Sequence, residues 1–231
     1  MFQIIAFIVI LLSWAVTNIL LFIAGNPNID ASIIFLAVVF IVYKVKFKLS
    51  VKEALILNGV KPIAWKELIK YVLIIGAISF VLSFSLTRIM NLDLAGFYND
   101  HKENGPGALK IIDSYSKPIA TFALLIFSIY GTFVEELIFR GLILRKLMAY
   151  NFILANFLQA LLFGLLHLGI GFLGDVSVSL KIFLFLFPFV VGLIVGYVYK
   201  RSEKNLCVTW ASHCTVNTIT WIIFLFTGKI I

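Results

Sequence analysis

Uninterrupted apolar runs, rather than a regular alternation of apolar and polar positions, set the pattern of this chain. They recur at residues 2–24, 29–43, 71–89, 119–139, 152–172, 182–199 and 206–226, separated by shorter polar stretches. Most are close to the roughly 20 residues that a helix needs to cross a bilayer. The pattern predicts an all-α fold, a polytopic membrane helical bundle of about seven transmembrane helices. The run 29–43 is the shortest and spans only if its helix continues past Tyr43, with Lys44, Lys46 and Lys48 stretching their charged heads to the interface. The first run lacks a basic leader, is too long for a signal-peptide core and ends in "FIAGNP" instead of a small-residue cleavage site. It reads as a retained anchor.

Composition supports that reading: 62% of residues are hydrophobic and 13% charged, well beyond the balance of soluble domains. The net charge of +8 does not imply nucleic acid, because in a membrane chain the placement of Lys and Arg first reports topology. With the N-terminus inside, 13 of the 19 Lys and Arg fall in inner segments, so the bias predicts N-in, C-out for seven spans. The lipid bilayer is the implied partner, and residues 51–70, with Ala54, Leu55, Leu57, Trp65 and Leu68, suit its interface. Cys207 and Cys214 are seven apart on one expected helix, about 10 Å along its axis and too far for a disulfide.

No repeat or linker divides the chain, which reads as one integral membrane domain over residues 1–231. The longest polar stretch, 91–117, contains "NDHKENGPGA" and is expected outside the membrane. It separates an N-terminal half without charges inside its spans from a C-terminal half that has several. Ionisable groups at membrane depth are costly and normally face the bundle interior, paired or functional. Here they are Glu135, Glu136 and Arg140 in "FVEELIFR", His167 in "FGLLH", and His213 with Asn217 in "HCTVN".

At about 100° per residue, Glu136 and Arg140 lie some 40° apart on one helix face, while Glu135 points about 140° from Arg140. The spacing predicts an intrahelical ion pair for Glu136 and leaves Glu135 without a partner on its own helix. His213 and Asn217 share a face, and His167 shares its stripe with Phe163. At about 1.5 Å per residue from the inner helix ends, Glu135 lies about 16 Å, His167 about 24 Å and His213 about 10 Å deep. With tilt, a carboxylate, two imidazoles and an amide can meet within the core, and together they have the parts for hydrolysis. Glu135 would take a proton from water, one imidazole would orient that water or bind a metal, and the His/Asn pair would meet an oxyanion. The same groups, His167, His213 and Glu135, also suit zinc or another divalent metal. The spacing is not HExxH, so a metal and a metal-free glutamate route stand equally at this point.

The three motifs, EExxxR, FxxxH and HxxxN, occur in that order on successive expected helices. Together they resemble the CPBP family of intramembrane proteases, which includes CAAX prenyl endopeptidases and bacterial Abi or bacteriocin-processing proteins. The resemblance marks residues 118–227 as a catalytic core with its active site within the membrane. It implies an endopeptidase acting on a membrane-associated peptide or protein. By motif position Glu135 looks like the water-activating residue, Glu136 like the partner of Arg140, His167 like the water- or metal-binding residue, and His213 with Asn217 like the oxyanion-stabilising or second metal-binding pair.

Two other classes fit parts of the pattern. A transporter also places Glu and His in mid-membrane, although repeats or broken helix pairs are its usual marks. A catalytically silent scaffold regulating a partner membrane protein would keep the same motifs. Phe163 reads as packing beneath His167, and Phe139, Trp210 and Trp221 as core or belt aromatics. Pro188 and Gly192 suggest a kink or close helix approach.

Overall fold

A computed structural model of the chain describes residues 31–94, 96, 111–112, 114–170 and 176–227. The run 2–24 and most of the polar stretch 91–117 lie outside them. Every regular element among the described residues is helical, with no strand. In chain order they are α1 (Ala31–Phe47), α2 (Val51–Leu57), α3 (Trp65–Ile89), α4 (Lys117–Glu136), α5 (Phe152–Ile170), α6 (Val178–Arg201) and α7 (Leu206–Thr227). α4 runs on through a π-helical segment (Leu137–Leu144) and a last α turn (Arg145–Leu147).

Four of these units, α3, the extended α4, α5 and α6, are long and apolar enough to cross a bilayer. α1 has 17 residues and does continue past Tyr43, with Lys44 and Lys46 in its last turn. α7 has 22 residues, but threonines, His213 and Asn217 dilute its apolar content. The protein is an integral membrane helical bundle.

α5 and α6 form the most extensive helix pair, and small residues account for it. A Cβ on Gly192 would meet that of Ala160 at 3.2 Å, and one on Gly196 would collide with Asn156 Oδ1. Close backbone approach is how membrane helices associate without a hydrophobic drive between them. Polar side chains stitch the contact: Asn156 Nδ2 donates to the Leu193 carbonyl at 2.9 Å, and Gln159 Nε2 to that of Gly192 at 2.8 Å. α7 packs against both α4 and α3, and Tyr71, Ile75, Val195, Val198 and Val208 fill the junction of α3, α6 and α7.

The basic end of the bundle is tied by hydrogen bonds. Leu206 N–H donates to the Gly59 carbonyl at 2.7 Å, Asn205 Nδ2 to that of Pro62 at 2.9 Å, and Lys61 Nζ to that of Glu203 at 2.8 Å. The α2–α3 loop is thus latched to the α6–α7 turn. α2 itself is started by a capping box in which the Ser50 N–H and hydroxyl donate to Glu53 and hold that carboxyl below its ordinary value. Its Val51, Ile56 and Leu57 are exposed, as is Trp65 at the start of α3, which suits an interfacial segment. Ala54, expected at the interface, is instead fully buried against α1 and the π segment.

Gly59 has φ +101°, and an added Cβ would lie 2.6 Å from the Lys204 carbonyl oxygen. Gly59→Ala is therefore expected to destabilise the protein by at least about 1–2 kcal/mol. A lowered melting temperature in detergent checks this; an unchanged one would mean that the latch does not hold the loop.

Candidate active site within the helix bundle

α4 changes its winding where the charges lie. From Leu137 the helix is π-type, and the Arg145 N–H bonds to the Arg140 carbonyl five residues back. All eight residues of the π segment are buried. Such segments are rare and concentrate at functional sites. The expected continuous α-helix over 119–139 is corrected accordingly: the α winding ends at Glu136.

Glu136 and Arg140 are fully buried, and Arg140 Nη1 donates to Glu136 Oε1 at 2.8 Å. His213 Nδ1, from α7, lies 3.0 Å from the same oxygen. A carboxylate paired with a guanidinium only accepts, so His213 carries its proton on Nδ1. His213 Nε2 then faces Glu135, 3.7 Å from Oε2. One imidazole stands between two adjacent carboxylates of unequal access: the Glu135 side chain is 31% exposed and that of Glu136 0%.

His167 on α5 has its Nδ1 2.9 Å from the Phe163 carbonyl oxygen. A carbonyl only accepts, so Nδ1 donates and neutral His167 keeps a lone pair on Nε2. The Phe163 ring is the hub of the site. It packs 4.5 Å from the His167 ring, 6.1 Å from the His213 ring and 5.0 Å from that of Phe139, and the Arg140 guanidinium lies 5.0 Å from its centroid. Phe163 packs beneath His167, and it also joins α4, α5 and α7.

The structure therefore brings Glu135, Glu136, Arg140 and His213 into direct contact and joins His167 to them through Phe163. Asn217, one turn beyond His213, is half-buried and makes no side-chain hydrogen bond among the described residues. His213 pairs with Glu136 instead of with Asn217. One contributor, Thr209, escaped the sequence reading, and another, Trp210, was read there only as a core or belt aromatic. Thr209 is fully buried against the Glu136 carboxylate; the i, i+4, i+8 stripe Thr209, His213, Asn217 carried its signal. Trp210 Nε1 donates to the Ile129 carbonyl at 3.0 Å, and its ring meets Phe133 edge-on at 5.3 Å, which ties α7 to α4.

The donor chemistry of His167 and His213 suits zinc, since each has Nδ1 committed to an oxygen and presents Nε2. Among the described residues no group of three or more His, Cys, Asp or Glu side chains is gathered closely enough to hold a metal ion.

Two carboxylates, a guanidinium and two imidazoles held inside apolar helices define an integral membrane protein with a buried polar site. Residues 117–219 match the Rce1-like family, type II CAAX prenyl endopeptidase Rce1-like, and in this segment the chain is similar to the CPBP intramembrane proteases. It begins with α4 and ends within α7, so it contains all seven residues of the three motifs. No curated protein and no solved structure matches the chain.

Proposed function

We propose that the protein is an intramembrane endopeptidase in which Glu135 activates the attacking water. The observation that carries this reading is the unequal placement of the two neighbouring glutamates. Glu136 is buried and committed to Arg140 and His213, whereas Glu135 is partly open and, among the described residues, its only ion-pair contact is the 3.7 Å one to His213. In the proposed reaction the Glu135 carboxylate removes a proton from water as the oxygen bonds to the scissile carbonyl carbon. The carbonyl electron pair moves to oxygen. Glu135 then returns the proton to the amide nitrogen as the C–N bond breaks. His167 Nε2 accepts the second hydrogen of that water and orients it. His213, donating from Nε2 in its imidazolium form, and the free Asn217 amide meet the oxyanion.

The proposed substrates are membrane-associated peptides or proteins. The family's name points to prenylated C-termini, and bacteriocin or signalling-peptide precursors are the other class, in a bacterial membrane with the N-terminus inside and the C-terminus outside. The test is mass-spectrometric detection of products from a farnesylated peptide and from unmodified precursors, using the purified protein in lipid. Wild type is expected to cut at least one of them, with or without a chelator. Asn217→Ala is expected to slow cleavage by about 10²–10³-fold at unchanged melting temperature. Activity lost to chelator and restored by zinc would replace the metal-free route with a metal-assisted one. No cleavage by wild type, with Asn217→Ala fully complementing a deletion strain, would sink the protease reading in favour of a scaffold.

A further inference from the structure

Between α3 and α6 the bundle has a groove of about 540 Å³. Its residues take no part in the site on α4, α5 and α7. The floor is Tyr71 and Val198, both buried in the apolar junction of α3, α6 and α7, so it is set by the core. The walls are Ile74, Ile78 and Ile194, and at the basic end the groove is flanked by Lys70, Arg201 and Tyr197. α3 starts and α6 finishes at that end, which places both cations at one level of the bilayer. Lys70 Nζ rests over the Tyr71 ring at 5.2 Å. Among the described residues neither Lys70 nor Arg201 has a carboxylate within ion-pair reach, the nearby Glu67 and Glu203 included.

We infer that this groove binds an anionic phospholipid of the leaflet at the basic end. The phosphate sits between Lys70 and Arg201 with the Tyr197 hydroxyl as a further donor, and an acyl chain lies along Ile74, Ile78 and Ile194. Two features choose a lipid over a peptide. From Lys70 to Ile78 is eight residues, about 12 Å along a helix, which keeps the apolar wall within one leaflet of a ~30 Å hydrocarbon core. Below the two cations the walls offer no polar side chain, so a peptide backbone there would be unsatisfied while an acyl chain has nothing to satisfy. Unpaired basic residues at this depth attract the anionic lipids of the inner surface.

Native mass spectrometry of the full chain, titrated from detergent with phosphatidylglycerol, phosphatidylcholine or glycerol 3-phosphate, tests the inference. Wild type is expected to retain phosphatidylglycerol at least about tenfold more tightly than phosphatidylcholine. Lys70→Gln with Arg201→Gln is expected to lower phosphatidylglycerol affinity about 30-fold, from about fivefold per cation. Ile194→Trp keeps both cations and fills the groove, so it is expected to lose the lipid as well. Lys44→Gln with Lys66→Gln removes the same charge outside the groove and is expected to leave binding unchanged. The inference falls if the groove variants bind phosphatidylglycerol like wild type, or if the Lys44 and Lys66 control loses as much. It also falls if glycerol 3-phosphate binds as tightly as the lipid, which would mark a plain anion site.

Discussion

Glu135→Gln is expected to lower the single-turnover rate of peptide cleavage by about 10²–10⁴-fold, the span that a positioned general base contributes, and to leave the melting temperature within about 2 °C of wild type. The two halves of this expectation rest on separate observations. Glutamine has the shape of glutamate but cannot hold the proton taken from water, so the chemistry fails. The Glu135 side chain is 31% exposed and forms no part of the buried ion pair, so the fold does not depend on its charge. Cleavage at the wild-type rate by Glu135→Gln would remove this residue from the chemistry. A large fall in melting temperature would make it structural instead.

Arg140→Met is expected to act the other way, on the fold before the chemistry. It leaves the Glu136 carboxylate at 0% exposure without its guanidinium, and stranding one member of a buried pair costs about 3–5 kcal/mol. Removing both charges, Arg140→Met with Glu136→Gln, is expected to recover most of that loss, since a buried pair is often no more stable than its neutral replacement. The pair here is incompletely compensated: Arg140 Nε and Nη2 and Glu136 Oε2 have no hydrogen-bond partner among the described residues. Thermal unfolding of the single and double variants in one detergent gives the comparison. A single variant as stable as wild type would show that the pair does not hold the bundle. The double variant should remain slow in cleavage even when refolded, because His213 Nδ1 loses the ionised acceptor that fixes its proton.

The contrast between these variants shows what the residue pattern revealed and what it did not. Helical spacing reports neighbours on the same helix, and so it found the Glu136–Arg140 pair and the freedom of Glu135 from it. It is silent about partners on other helices. His213 turns to Glu136 rather than to Asn217 because α7 packs against α4, and Thr209 reaches the same carboxylate for the same reason. The membrane class was legible because repeated apolar runs of bilayer length would leave a water-soluble chain with more greasy surface than it could bury. The number of spans was less so, since α1 and α7 depend on lysine reach and on tolerated polar groups. The π winding from Leu137 to Leu144 left no mark at all, because its run of Leu, Ile, Phe, Arg and Gly is equally compatible with an α-helix in a membrane.

The latch at the basic end bears on where this machine begins. The family match starts at residue 117, yet the first N–H of α7 finds its acceptor at Gly59, and the backbone of the π segment at Gly141 lies so close to Asn58 that an added Cβ would sit 3.1 Å from its carbonyl oxygen. A short loop that contains none of the motif residues thus touches both helices that carry the carboxylates and His213. The packing around the site reaches beyond the matched segment: an excised fragment starting at α4 would hold every motif residue and lack these contacts.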